Sequence, residues 1–256
     1  MEKLLLIDAD SLLYYEAFKE QTLEEAINGV SNRLKIMLKA NNTNKYAAFL
    51  TCSNNFRHNL AKTKKYKSSR TSTKPKLFYQ LKDFTMNNLG FCIINNYEAD
   101  DLVLYYADNI KEYNCIICSP DKDVIYQKDG IHFNYQFKKQ EDENVKLGDF
   151  IEVSEEDVYY FKCKQLLTGD SVDSVVGIPK IGNKKADDIL KNSKDEKLIV
   201  TVFKEYLKYF KDEHITVLKF YENVNLLQMI NNDTLIEYFE LPKLKPLPLI
   251  IKINNL

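Results

Sequence analysis

The chain has 256 residues, a formal net charge of −1, 45% hydrophobic and 29% charged residues. Those totals suit a globular chain long enough for one large domain or two small ones, and they exclude a polycation, so contact with an acidic polymer must come from local charge. No apolar run approaches the roughly 20 residues of a membrane span, residues 1–7 lack the basic start of a secretory signal, and five cysteines, an odd number, fit reduced thiols in a cytoplasmic setting.

Taken in chain order, residues 4–7, 46–50, 91–94 and 115–118 are short apolar runs that predict buried parallel strands. Between them, residues 23–38 place Leu23, Ala26, Ile27, Val30, Leu34, Met37 and Leu38 at helical spacing. Residues 77–89 and 99–110 do the same. This alternation predicts an α/β fold with a mainly parallel sheet flanked by helices. Beyond about residue 150 the strands largely stop: 158–167, 184–190, 198–210 and 215–230 read as helices, and the proline-bearing tail 241–251 reads as extended. The expectation is an α/β core over 1–150 and a helical part over 151–256, packed as one unit. Cys115 and Cys118 form a lone CxxC without a second Cys or His pair nearby, and read as core thiols.

The acids fall where a sheet of this kind places its ligands, at the carboxyl ends of strands. Asp8 and Asp10 close the first predicted strand, Glu98, Asp100 and Asp101 follow the third, and Asp121 and Asp123 follow the fourth. Capping explains any one group: acids at a helix start contribute roughly 0.3–1 kcal/mol each, and Asp121 and Asp123 suit a turn. All of them at one sheet edge is harder to assign to capping. Carboxylates gathered in one cleft raise each other's pKa values unless cations neutralise them, and oxygen ligands of this kind suit Mg²⁺ or Mn²⁺.

Two further stretches carry the chemistry. Residues 57–76 hold Arg57, Lys62, Lys64, Lys65, Lys67, Arg70, Lys74 and Lys76 with no acid, and Tyr66, Phe78 and Tyr79 lie within or beside them. Such a segment reads either as a phosphate-backbone contact with aromatics for stacking or as a solvated basic loop. Residues 169–186 then set Asp170 and Asp173 ahead of a Gly-rich hairpin, Gly177-Ile178-Pro179-Lys180-Ile181-Gly182, that runs into Lys184 and Lys185. Free backbone N–H groups, a helix start and lysines suit a phosphate, and metal beside phosphate backbone is the chemistry of a nuclease.

Together these motifs resemble the 5′-nuclease family of flap endonucleases, the 5′–3′ exonuclease domain of bacterial DNA polymerase I and phage 5′–3′ exonucleases. The resemblance runs in order over about residues 4–190 through Leu5-Leu6-Ile7-Asp8-Ala9-Asp10, Phe56-Arg57, Tyr66-Lys67-Ser68-Ser69-Arg70, Glu98-Ala99-Asp100-Asp101, Ser119-Pro120-Asp121-Lys122-Asp123, and Gly169-Asp170-Ser171-Val172-Asp173 with the hairpin. It implies a PIN-like core, a basic arch at about 57–85 over the site, and a helix-hairpin-helix-like element at 169–190. It implies two bound Mg²⁺ or Mn²⁺ ions, with Asp8, Glu98, Asp100, Asp121, Asp123 and Asp170 as ligands and Asp101 and Asp173 as ligands directly or through water. It implies Lys67 and Arg70 at the scissile phosphate and DNA contacts from Arg57, Lys64, Lys65, Tyr66, Gly177, Ile178, Lys180, Gly182, Lys184 and Lys185, with K⁺ at the hairpin. The implied activity is hydrolysis of DNA at a 5′ end, flap or junction, with RNA–DNA hybrid as a further substrate, by a monomer in the cytoplasm, or in a host's cytoplasm if a phage encodes it. One departure stands out. The family carries an Asp at the end of the second strand, where this chain reads Phe49-Leu50-Thr51-Cys52-Ser53; Leu50, Cys52 or Ser53 falls at the position, and Asp10 is the acid that would partly substitute. A structure-specific DNA-binding protein without cleavage, and a PIN-type ribonuclease, are the rival readings.

Overall fold

The structure is a computed structural model that describes residues 1–19, 22–70, 73–136, 148–193, 197–229 and 251–252. At the centre of a six-stranded sheet lies β1 (Lys3–Asp8), with β2 (Lys45–Phe49) and β3 (Asn114–Cys118) parallel on either side. Next to β3 runs β4 (Gly130–Asn134), also parallel, and the edges are antiparallel: β5 (Asp149–Val153) beside β4, and the two-residue β8 (Ile251–Lys252) beside β2.

The unbroken apolar run of β1 has a direct cause, since both faces of the sheet are covered. Leu5 and Ile7 face one core, built with α1 (Asp10–Ala17), α2 (Leu23–Ala40) and α4 (Phe78–Asn88). Leu4 and Leu6 face the other, built with α5 (Ala99–Asn109). All four are 0% exposed, and burying each such side chain stabilises the fold by roughly 1.5–3 kcal/mol. The start of α2 is fixed by Thr22, whose hydroxyl accepts the Glu25 N–H while the Glu25 carboxylate accepts the Thr22 N–H.

A third core joins α7 (Glu155–Thr168), α8 (Asn183–Lys191), α9 (Leu198–Phe210) and α10 (Glu213–Leu227). Between α7 and α8 sits a small hairpin of β6 (Gly169–Asp170) and β7 (Val175–Val176). Tyr66, from the basic stretch, is buried in this third core. The stretch itself forms the single turn α3 (Arg57–Leu60) and then an irregular path.

Three readings need correction. Residues 91–94 are not a strand: two backbone hydrogen bonds, Cys92 N–H to Ala48 O and Leu50 N–H to Cys92 O, both 2.9 Å, make one bridge to β2 and no more. Asp10 does not end β1 but opens α1, a helix the strand reading concealed. Strands β4 and β5 lack the apolar-run signal, because Gly130–Asn134 buries only His132 and Phe133 and Asp149–Val153, at the sheet edge, alternates exposed with partly buried positions. Of the predicted extended tail, residues 241–250 lie outside the described residues, while Ile251 pairs with Tyr46.

Candidate active site

The site begins where the central strands end. Asp8 closes β1, and its carboxylate accepts a 2.9 Å hydrogen bond from Ser119 Oγ, just past β3. The same Ser119 oxygen accepts the Asp121 N–H at 3.1 Å, so one hydroxyl ties two strand ends together. Tyr135 donates its hydroxyl to the Asp8 carbonyl at 2.5 Å. Beyond Ser119, Asp121 caps the short helix α6 (Lys122–Ile125), accepting the Asp123 N–H at 2.9 Å. Asp123 in turn accepts a 3.3 Å bond from Gln165 Nε2 on α7. Across from them, Asp170 Oδ1 accepts the N–H groups of Val172 at 2.7 Å and Asp173 at 3.2 Å, which folds 170–173 into a tight turn. The result is a cleft of about 300 Å³ into which Asp100, Asp121, Asp123, Asp170 and Asp173 all reach, with Lys67 and Arg70 on its wall.

Three acids in or beside this cleft, Asp8, Asp100 and Asp123, are electrostatically unsatisfied. Burial first, then the charges of Asp10 and Asp121, push Asp8 up to about 7, against the Ser119 hydrogen bond. Burial, then Asp121 and Asp170, push Asp123 up to about 7. Asp100 is raised well above the usual carboxylate range, by burial and then by Glu98 and Asp101. Each of these groups favours added positive charge nearby. The donors are carboxylate oxygens with no thiol or imidazole among them, a set that fits a hard divalent cation.

A second group of acids, next in sequence, has the opposite character. The carboxylates of Glu98, Asp100 and Asp101 lie within 4.8 Å of one another, but two of the three are taken up by cations. Arg57, 2% exposed, grips Asp101 through NH1 at 2.5 Å and NH2 at 2.7 Å, and Glu98 through NH1 at 3.2 Å. Its remaining donors reach the carbonyls of Leu226 at 3.3 Å and Gln228 at 3.1 Å, at the end of α10. Glu98 also accepts from Asn55 Nδ2 at 3.1 Å, from Tyr66 OH at 2.8 Å and from Lys67 Nζ. Burial raises the Glu98 pKa, yet Arg57, Lys67 and Tyr66 together hold it below the usual range.

Several expected roles change accordingly. Asp101, 0% exposed and doubly bonded to Arg57, is not a free metal ligand. Arg57 and Tyr66 are buried at the back of the cleft and spend their polar atoms on Glu98, Asp101 and Asp173, so neither presents an exposed DNA contact. Capping and clustering are both true of this acidic helix start, because the Glu98 N–H also donates to Asp101 at 3.4 Å.

Lys67 and Arg70 stand between the two groups. The Lys67 ammonium pairs with Glu98 and lies 3.8 Å from Asp173, and Arg70 NH2 meets Asp173 at 2.6 Å. The backbone here is fastened down: Lys67, at φ +55°, donates its N–H to Asp173 O at 2.8 Å, and Ser69 Oγ donates to the carbonyls of Ser171 and Val172. Residues 66–70 are therefore strapped to the 171–174 turn.

Lys64, Lys65, Lys180, Gly182, Lys184 and Lys185 are exposed. Ile178 is not available to DNA, as its side chain is buried in the third core and its N–H donates to Leu167 O at 2.9 Å. Gly177 serves close packing: a Cβ there would lie 2.4 Å from the Gly169 nitrogen. Gly182 caps the start of α8 in an extended conformation.

At the end of β2 the expected acid is absent. Leu50 is 0% exposed in the first core, Cys52 is half-buried, and Ser53 is exposed. Ser119, Gln165, Asn55 and Tyr135 were missed as site residues. Only Ser119 had a signal, as part of a Ser-Pro-Asp turn after a strand; the others are brought in by tertiary packing.

A sheet whose strand ends offer carboxylates to a cleft walled by cations is the frame of a phosphodiester-cleaving enzyme. Residues 3–150 match the family described as 5′-3′ exonuclease, N-terminal resolvase-like domain. The chain belongs to that family and is a nuclease. It is 29% identical over 210 residues to a 5′-3′ exonuclease of Mycoplasmopsis pulmonis, covering 75% of this chain and 67% of that one. To DNA polymerase I of Bacillus subtilis it is 29% identical over 245 residues, 83% of this chain but 27% of the polymerase. In fold it resembles the T5 D15 protein co-crystallised with metal ions, with a TM-score of 0.67 at 16% identity over 88% of this chain and 89% of that one. The catalytic core of Rad2 in complex with DNA substrate gives 0.52 at 12% identity, over 91% and 75%. Among the described residues no helix is long and apolar enough to cross a membrane.

Proposed function

We propose that the chain is a divalent-metal-dependent, structure-specific 5′ nuclease that hydrolyses DNA phosphodiesters as a 5′–3′ exonuclease or flap endonuclease, with RNA–DNA hybrid as a further substrate. The observation that carries this is the gathering of acids in the cleft, Asp123 held there by the neutral Gln165 amide, with Asp8 beside it held by the Ser119 hydroxyl that also accepts the Asp121 N–H. Asp8, Asp100, Asp121, Asp123, Asp170 and Asp173 would hold Mg²⁺ or Mn²⁺. Ions bound there would supply an activated water and offset charge building on the phosphate. Lys67 and Arg70 lie on the cleft wall, where they would orient the scissile phosphate and stabilise its added negative charge. Lys180, Lys184 and Lys185, beside the N-terminus of α8, would grip the duplex backbone away from the cut, and Lys64 and Lys65 would contact it nearer the cleft.

A labelled 5′-flap duplex with Mg²⁺ tests the reading. The paired substitution Asp121→Asn and Asp123→Asn should lower cleavage by at least ~10³-fold while leaving binding measurable, a loss on the scale of removing a metal's contribution to the barrier. Retention of cleavage by that variant would overturn the assignment. Binding by the wild type with no cutting in Mg²⁺ or Mn²⁺ would instead mark a DNA-binding factor, the rival favoured by the missing acid at the end of β2.

A further inference from the structure

Lys67 and Arg70 reach the cleft from a stretch that is neither helix nor strand, so regular secondary structure does not hold them in place. Two local hydrogen bonds shape the path, Ser68 N–H to Lys65 O at 3.2 Å and Arg70 N–H to Lys67 O at 3.1 Å. They form two overlapping turns. Lys67, shared by both, sits at φ +55°, a left-handed conformation that is unfavourable for any residue with a side chain. Short turns around a strained residue persist only where their surroundings enforce them.

The group best placed to enforce them is Ser174, which is 3% exposed and, at φ +62°, is itself left-handed. Its hydroxyl is the centre of a clasp. The oxygen accepts the Ser69 N–H at 3.0 Å and the Ser68 hydroxyl at 3.2 Å. Ser69 Oγ, 2.9 Å away, gives its own proton to the carbonyls of Val172 at 2.9 Å and Ser171 at 3.1 Å, so between these two hydroxyls the donor is Ser174. One side chain thus engages both of its lone pairs and its proton with residues 68 and 69. Lys67 and Arg70 flank those two residues in sequence, while Ser174 follows the turn that carries Asp170 and Asp173. The clasp therefore joins the cationic wall of the cleft to its acidic turn through neutral groups, and neither Ser69 nor Ser174 is among the residues that line the cleft.

We propose that Ser174 is a positioning residue for the cleavage reaction: its hydroxyl fastens residues 66–70 to the 170–174 turn and so fixes Lys67 and Arg70 on the cleft wall before DNA arrives. The inference rests on the phosphate role given to those two cations above. Long cationic side chains lose rotamer freedom when they grip a phosphate, and a backbone already anchored beneath them leaves only that part of the ordering to the bound substrate.

Two variants open the clasp from opposite sides. Ser174→Gly removes the central hydroxyl at a φ that glycine adopts freely, and Ser69→Ala removes its partner. Limited trypsin digestion of the DNA-free full chain in EDTA, read by mass spectrometry, reports how often the chain opens after Lys67. Both variants should raise cleavage there at least about tenfold over wild type, with cleavage after Lys164 on α7 unchanged as the control for global unfolding. Single-turnover cleavage of the 5′-flap duplex in Mg²⁺ should fall about tenfold in Ser174→Gly, and the same substitution should cause no further loss in a Lys67→Ala, Arg70→Ala background. Unchanged trypsin cleavage after Lys67 in both variants would overturn the proposal. So would wild-type flap cleavage by Ser174→Gly, or a loss that persists in full in the background without the two cations, since Ser174 would then act on something else. If Lys67→Ala, Arg70→Ala alone cuts the flap as well as wild type, the phosphate role of those residues fails instead, and the trypsin result still decides whether the clasp orders the stretch.

Discussion

Two groups of carboxylates in this chain behave in opposite ways. Glu98 and Asp101 are enclosed with Arg57, and Glu98 with Lys67 as well. Asp8, Asp121 and Asp123 meet a serine hydroxyl, a backbone N–H and a glutamine amide. A neutral donor aims a carboxylate but leaves its charge in place, while a guanidinium aims it and cancels it. The consequence is visible in acidity: Glu98 is held below the usual range, and Asp8 and Asp123 are lifted to about 7. Burial acts on all of them, so it is the chemistry of the partner that separates acids serving the fold from acids left open for a ligand.

The sharpest way to break this contrast is Arg57→Met. It removes the cation and keeps the apolar stem, leaving Asp101 and Glu98 buried and uncompensated and freeing two carbonyls at the end of α10. Removing one partner from a buried ion pair costs about 3–5 kcal/mol, so urea unfolding in EDTA should show a loss of that size. A change under 1 kcal/mol would show that the pairing does little for the fold.

The cleft acids make the reverse prediction, on a smaller scale. Asp8 and Asp123 have ordinary values of 3.8 and folded values of about 7. The metal-free folded state therefore keeps protons that the unfolded chain has already lost. The stability they contribute is complete below about pH 4, falls as pH rises towards 7, and is spent above it. At about 1.4 kcal/mol per pH unit for each group, unfolding in EDTA should lose roughly 1–3 kcal/mol between pH 6 and 8. Mg²⁺ should reverse most of that loss. A flat profile in EDTA would mean that these acids are already compensated.

The same contrast explains what was legible in the sequence. Strands β1, β2 and β3 showed as apolar runs because helices cover both faces, and most of the helices showed as amphipathic patterns. Asp8, Asp121 and Asp123 are legible because they follow apolar strands. What the pattern could not reveal was their partners. Arg57 read as a phosphate contact because it begins a basic run, yet its place is fixed by Asp101, 44 residues away, and by Leu226, 169 residues away. Charge type is local information, while the partner of a charge is a property of the folded chain. Strand β4 and the edge strand β5 escape for a related reason: exposure of Ile131 and Phe150 breaks the expected sequence of buried positions.

The smallest and most selective test concerns a neutral donor. Ser119 is 0% exposed and its oxygen both donates to Asp8 and accepts from Asp121. In Ser119→Ala the Asp8 carboxylate loses the hydrogen bond that lowers its pKa, and the Asp121 N–H loses its acceptor. Stability in EDTA should fall by about 1 kcal/mol, the usual net effect of one hydrogen bond. The Asp8 titration, followed by carboxyl NMR in EDTA, should move upward, and Mn²⁺ affinity near neutral pH should weaken about three- to tenfold because more of the site must first lose a proton. Raising the pH by a unit should restore most of that affinity. If higher pH restores nothing, then Ser119 acts by holding the two strand ends in register, and orientation, rather than acidity, is what the neutral donors control in this cleft.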